Sequence, residues 1–175
     1  MKNKKLLLGI AWAWLTCLSA NAEVKLPAFF SDGMVMQQQT RANLWGTATP
    51  NAPVKITTSW DKQTYKTIAD AKGAWKLALS TPSAGGRYTI TFDDGKLTEI
   101  RDILMGELWL CSGQSNMEMP MKGFKNQPVE NSNTDVMNSR NPQLRLFTVK
   151  RSSSFTPKTD VVGTWQEAVP ATVRE

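Results

Sequence analysis

The sequence predicts a β-sandwich domain of Ig-like or jelly-roll-like kind, followed by the start of an α/β domain. Two observations carry this. Short segments with period-two alternation recur about every ten residues up to Leu104, separated by turn residues. After them comes a compact apolar run without alternation, Glu107-Leu108-Trp109-Leu110-Cys111, ending in Ser112-Gly113-Gln114-Ser115-Asn116. A run of that kind suits a strand buried on both faces, as in a parallel sheet.

The first 22 residues stand apart. Lys2, Lys4 and Lys5 precede an apolar stretch from Leu6 to Leu18, and Ala20-Asn21-Ala22 places small residues where a signal peptidase cuts. The pattern is that of a secretory signal peptide, so the protein is expected in the periplasm or outside the cell. The apolar stretch is short for a membrane anchor. A lipoprotein reading through Cys17 is disfavoured by Trp14, three residues before it.

Within residues 23–104, the predicted strands are Ala42–Thr47, Val54–Trp60, Tyr65–Ala69, Ala74–Leu79, Tyr88–Phe92 and Leu97–Leu104. Trp75, Leu77 and Leu79 share one face, as do Tyr88, Ile90 and Phe92. The breaks contain Pro50-Asn51, Lys72-Gly73, Gly85-Gly86 and Asp94-Gly95, residues that turns favour. The α/β portion, residues 105–175, holds the apolar run, a polar loop over 122–141 and a strand over Leu144–Val149. It is read as an α/β domain cut short. In that case the apolar faces of Leu108–Cys111 and Leu144–Val149 are partly uncovered, which favours aggregation.

Charge excludes one class of function. Formal net charge is +6 for the whole chain. It falls to +3 once the three lysines of the signal are removed. The remaining basic residues are scattered, so no nucleic acid partner is expected. Only Cys111 remains after the signal, which leaves no internal disulfide. No later apolar run is long enough to span a membrane as a helix, so no membrane anchor is expected.

The candidate site is Ser115. A buried strand leading into it would set the serine at a strand's carboxyl end, where open α/β sheets hold their ligands. Gly113 would permit the turn. A helical turn beginning at Ser115 would leave its N–H free for an oxyanion. Gln114 and Asn116, on either side, are candidates for substrate contact. On these residues alone the segment also reads as a polar loop with Ser115 as a helix cap. Gly113-Gln114-Ser115-Asn116-Met117 is not Gly-x-Ser-x-Gly, so the α/β-hydrolase elbow does not apply.

A wider resemblance bears on this choice. Cys111 to Met119 resembles the nucleophile block of the sialate O-acetylesterases, a branch of the SGNH hydrolases. Phe30 to Gln37, Leu44 to Ala48, Gly73 to Trp75, Gly106 to Trp109 and Pro142 to Phe147 are similar to other segments of that family, in the same order. The resemblance implies removal of O-acetyl groups from sialic acids or other sugars, with no metal and no organic cofactor. It implies that Ser115 is the nucleophile and that its backbone N–H is one oxyanion donor. It also implies that further donors, and the Asp and His that activate the serine, lie in later blocks. The family often has His where this chain has Gly33. The chain contains no histidine at all. A serine nucleophile needs a base near neutral pH, so these residues alone are expected to be an inactive fragment. The alternative is a non-catalytic exported β-sandwich module that binds carbohydrate or a protein partner.

Other residues carry weaker signals. Met117, Met119 and Met121 could hold Cu(I) but read better as core filler. Cys111 is expected to be buried and inert. Glu118 and Asp135 are expected on the surface. Trp45, Trp60, Trp75, Trp109 and Trp165 are expected to pack in the core rather than stack on sugars.

Overall fold

The structure, a computed structural model, describes residues 23–174. The signal-peptide reading of residues 1–22 falls outside the described residues. Seven strands come first: β1 (Val35–Gln37), β2 (Arg41–Thr47), β3 (Pro53–Thr58), β4 (Thr64–Ile68), β5 (Ala74–Ser80), β6 (Gly85–Asp93) and β7 (Leu97–Gly106). All six predicted strands up to Leu104 form. The three-residue β1 was not anticipated.

These strands make two sheets around one core. A mixed five-stranded sheet runs β1-β7-β6-β3-β4, with β1 parallel to β7 and the other pairs antiparallel. An antiparallel β2–β5 pair forms the second sheet. Alternation decides which side chains meet. In β3, Val54, Ile56 and Thr58 point inward and their neighbours outward. Leu44 from β2 and Leu79 from β5 join Ile56, Ile90, Phe92 and Ile103 from the larger sheet, all almost completely buried. Each such side chain contributes about 1.5–3 kcal/mol on leaving water. Thr58, the polar member of the β3 stripe, is satisfied by the Asp61 carboxylate, which also accepts from the Gln63 N–H and the Tyr65 hydroxyl.

One break in the alternation matters later. Along β7 the inward residues are Ile100, Ile103 and Met105, a spacing of three and then two. The register with β6 slips there, from Ile90 opposite Ile100 to Tyr88 opposite Ile103. The extra residue is a β-bulge, and within it Asp102 takes φ +56°. Aspartate tolerates this left-handed conformation better than most residues. Gly33, at φ +78°, occupies a second such position, and its N–H donates to the Arg101 carbonyl beside the bulge.

Past Gly106 the structure departs from expectation. Glu107–Cys111 is not a strand. Leu108, Trp109 and Leu110 are 52%, 82% and 93% exposed. A buried parallel strand needs neighbours on both edges for its N–H and C=O groups and layers over both faces. None lies beside this segment among the described residues. Cys111 is accordingly exposed, not buried. Trp109 likewise faces solvent rather than the core.

The loop expected over 122–141 contains a short helix, α1 (Ser132–Met137). The predicted strand over Leu144–Val149 lies earlier, as β8 (Asn141–Phe147), and pairs antiparallel with β9 (Trp165–Ala168). A short helix, α2 (Pro170–Val173), follows. The residue that β8 buries is charged. The Arg145 side chain is 2% exposed and donates to Asp102 at 3.1 Å and to the Pro142 carbonyl. Asp102 also ion-pairs with Arg87 of β6 at 2.8 Å. The bulge thus anchors β8 to the first sheet. Trp165 completes the junction by packing against the core and donating its indole N–H to the Phe29 carbonyl at 2.8 Å.

Replacing Asp102 by Asn keeps the backbone preference and removes the charge. Arg145 then stays buried without a carboxylate. Urea unfolding monitored by Trp fluorescence is expected to show a loss of about 2 kcal/mol. A loss below about 0.5 kcal/mol would mean that the ion pair does not hold the junction.

Candidate active site

The serine segment is built outward from the end of β7. Its departure point is fixed by β1. The Gln38 N–H donates to the Gly106 carbonyl at 2.9 Å. The Gln37 side chain donates to one carboxylate oxygen of Glu107 at 3.0 Å, and Gln38 donates to the other at 2.8 Å. The Gln37 amide oxygen accepts the Leu108 N–H at 2.9 Å, and the Gln38 amide oxygen accepts the Ala84 N–H at 2.7 Å. These bonds, from Gln37 first and Gln38 second, hold the exposed Glu107 carboxyl below its ordinary pKa.

From Leu108 to Gly113 the chain has no regular structure. Gln114 is extended, with φ −111° and ψ −152°, and Ser115–Met117 closes one 3₁₀ turn. The turn is held by the Met117 N–H on the Gln114 carbonyl at 2.9 Å and the Glu118 N–H on the Ser115 carbonyl at 3.1 Å. Ser115 is the first residue of the turn, so its own N–H has no partner inside it. Neither that N–H nor the Ser115 hydroxyl is hydrogen-bonded among the described residues. Gln114, Ser115 and Asn116 are all exposed. Gly113 does not use a left-handed backbone. A Cβ there would lie 2.8 Å from the Met117 side chain, so the residue's role is to admit that methionine.

The helical turn predicted at Ser115 is present, but the buried strand expected to deliver it is not. Glu118 is half-exposed and ion-pairs with Arg151, which tethers the turn to the loop after β8. Asp135 is exposed on α1, and its N–H bonds to the Asn131 carbonyl. Neither carboxylate is hydrogen-bonded to the Ser115 hydroxyl among the described residues. Met117 and Met119 are 53% and 37% exposed. No group of three or more His, Cys, Asp or Glu side chains that could hold a metal occurs among the described residues. Gln37, Gln38 and Glu107 were missed as contributors to the site. Their pairing spans about seventy positions, and nothing in their local pattern announces it.

The arrangement offers an exposed serine hydroxyl and an adjacent free N–H on a short turn. Chemically, a free hydroxyl and a free N–H so placed are what acyl transfer asks of a nucleophile and an oxyanion donor; no hydrogen-bonded base accompanies the hydroxyl among the described residues.

Comparison with known proteins finds similarity to esterases of acetylated carbohydrates. No family model matches the chain. In sequence it is similar to sialate O-acetylesterases. The human protein is 31% identical over 131 residues, 69% of this chain and 25% of the relative. The orangutan protein (Pongo abelii) is 29% identical over 154 residues, 82% of this chain and 29% of the relative. In structure it is similar to a carbohydrate acetylesterase from Xanthomonas citri, with a TM-score of 0.79 and 34% identity over 87% of this chain and 34% of that one. The chain therefore spans between a quarter and about a third of the length of the relatives it matches.

The Glu107 bonds predict a pH response. A lowered carboxyl pKa means that the bonded form is complete above the ordinary glutamate range and is lost as pH falls through the lowered value. In ¹⁵N spectra the Gln37 and Gln38 side-chain NH₂ signals are expected to shift together, with a midpoint below the ordinary glutamate value of 4.5. A midpoint at or above that value would contradict the bonding.

Proposed function

We propose that this chain carries the nucleophile of a sialate O-acetylesterase-like carboxylic ester hydrolase. The reading rests above all on the 3₁₀ turn at Ser115, whose hydroxyl and N–H are both unengaged and exposed. The likeness to sialate O-acetylesterases and to a carbohydrate acetylesterase supports it. The substrate is an O-acetylated sugar, with sialic acids as one member of the class. The architecture in this reading is a β-sandwich over residues 23–104, followed from residue 105 by the start of an SGNH-type α/β domain. Export through the signal at residues 1–22 belongs to the same proposal and is supported by the pattern of that segment.

The chemistry follows from the turn. Ser115 Oγ attacks the acetyl carbonyl carbon while a base takes its proton. The carbonyl oxygen becomes an oxyanion held by the Ser115 N–H. Collapse breaks the bond from the acetyl carbon to the sugar oxygen, which takes the proton held by the base and leaves as the free hydroxyl, and an acetyl-serine remains. Water attacks that ester in the same way and releases acetate. Gln114 and Asn116 flank Ser115, are exposed, and are suited to hydrogen-bond the sugar. No histidine occurs in these 175 residues, so the base must come from elsewhere.

Two measurements test this. The purified chain is expected not to hydrolyse 4-nitrophenyl acetate above background; a rate abolished by Ser115→Ala would show that no outside base is needed. A chimera joining this chain to the remaining residues of the Xanthomonas relative is expected to deacetylate acetylated sugars. It should lose at least about 10³-fold in kcat on Ser115→Ala. An active chimera indifferent to that substitution would remove Ser115 from the mechanism.

A further inference from the structure

The chain between β7 and Ser115 crosses open space, yet its first two residues are held by an arrangement more specific than an ordinary loop contact. Both oxygens of one carboxylate, that of Glu107, accept from two consecutive glutamines at the end of β1. Each glutamine uses its other end as well. Gln37 accepts the Leu108 N–H, and Gln38 accepts the Ala84 N–H from the segment before β6. Two side-chain amides therefore give four directional bonds, all between 2.7 and 3.0 Å. The donor and acceptor ends are not interchangeable. Glutamate at 37 would place a carboxylate against Glu107, and an aliphatic residue would satisfy neither Glu107 nor the Leu108 N–H.

We propose that Gln37 and Gln38 are positioning residues that clamp Glu107 and so fix the direction in which the nucleophile segment leaves the β domain. Their meaning for catalysis rests on Ser115 being the nucleophile; the clamp itself does not. The geometry supports a role in orientation rather than in bulk stability. All four bonds are solvent-exposed, where a net hydrogen bond contributes little, whereas the 108–113 segment that they launch has no other described hydrogen bond. Leu108 is also where the exposed apolar stretch begins, so no packing compensates for loss of the clamp.

Hydrogen exchange and ¹⁵N relaxation on the full chain test this without any need for activity. In Gln37→Ala, the Leu108 amide is expected to exchange about fivefold faster, and the heteronuclear NOE of Trp109 and Leu110 to fall. The core amides of Ile56 and Phe92 should keep their protection. Gln37→Glu alone is expected to release Leu108 as well, through repulsion with Glu107. Combining Gln37→Glu with Glu107→Gln exchanges donor for acceptor across the same contact and is expected to restore slow exchange. Unchanged Leu108 exchange in Gln37→Ala would overturn the clamp. So would failure of the double exchange to restore it while Ile56 and Phe92 stay protected, or loss of protection at all three amides together. Because Ser115 chemistry enters none of these readouts, failure of the esterase reading would leave them as they are.

Discussion

Asp102 is where the parts of this molecule meet. It takes one extra position in β7, turns into a left-handed conformation, and presents a carboxylate to Arg87 on the neighbouring strand and to Arg145 on β8. A guanidinium as buried as that of Arg145 is costly unless paired. The Asp102 carboxylate and the Pro142 carbonyl supply the partners, and in doing so set where β8 lies. The bulge also turns Ile103 and Met105 back toward the core after the interruption. One irregular residue thus keeps the inner face of β7 apolar and gives the later part of the chain one of its points of attachment.

The strands from β2 to β7 were legible because their physics is local. Each has one face on a shared core, so alternation appears directly in Val54–Thr58, Ala74–Leu79 and Tyr88–Phe92. Position 102 was not legible, since a bulge announces itself only through the partner strand. Arg145 was hidden for a related reason: a charged residue in a strand reads as surface until its counter-ion is known. Glu107–Cys111 misled because composition reports what a segment would prefer to be buried against, and no such layer lies over it among the described residues.

The site divides in the same way. Ser115, Gln114 and Asn116 are contiguous, and the turn that displays them depends on residues within three positions, so the sequence reading of the turn holds. Gly113, expected to permit a sharp turn, shows no left-handed backbone angle; what lies against it is the Met117 side chain. The hold on Glu107 depends on β1, a strand too short to be recognised from three residues.

The parallel pairing of β1 with β7 has a consequence for how the chain assembles. Val35 lies opposite Leu104, 69 positions away. The hairpin partners β3–β4 and β6–β7 close over a few residues. Contacts that span long loops pay their closure entropy before they are rewarded, so the local hairpins lead and β1 docks late. Gln37 and Gln38 travel with β1. The route from the β domain to the serine is therefore set after the local hairpins have closed.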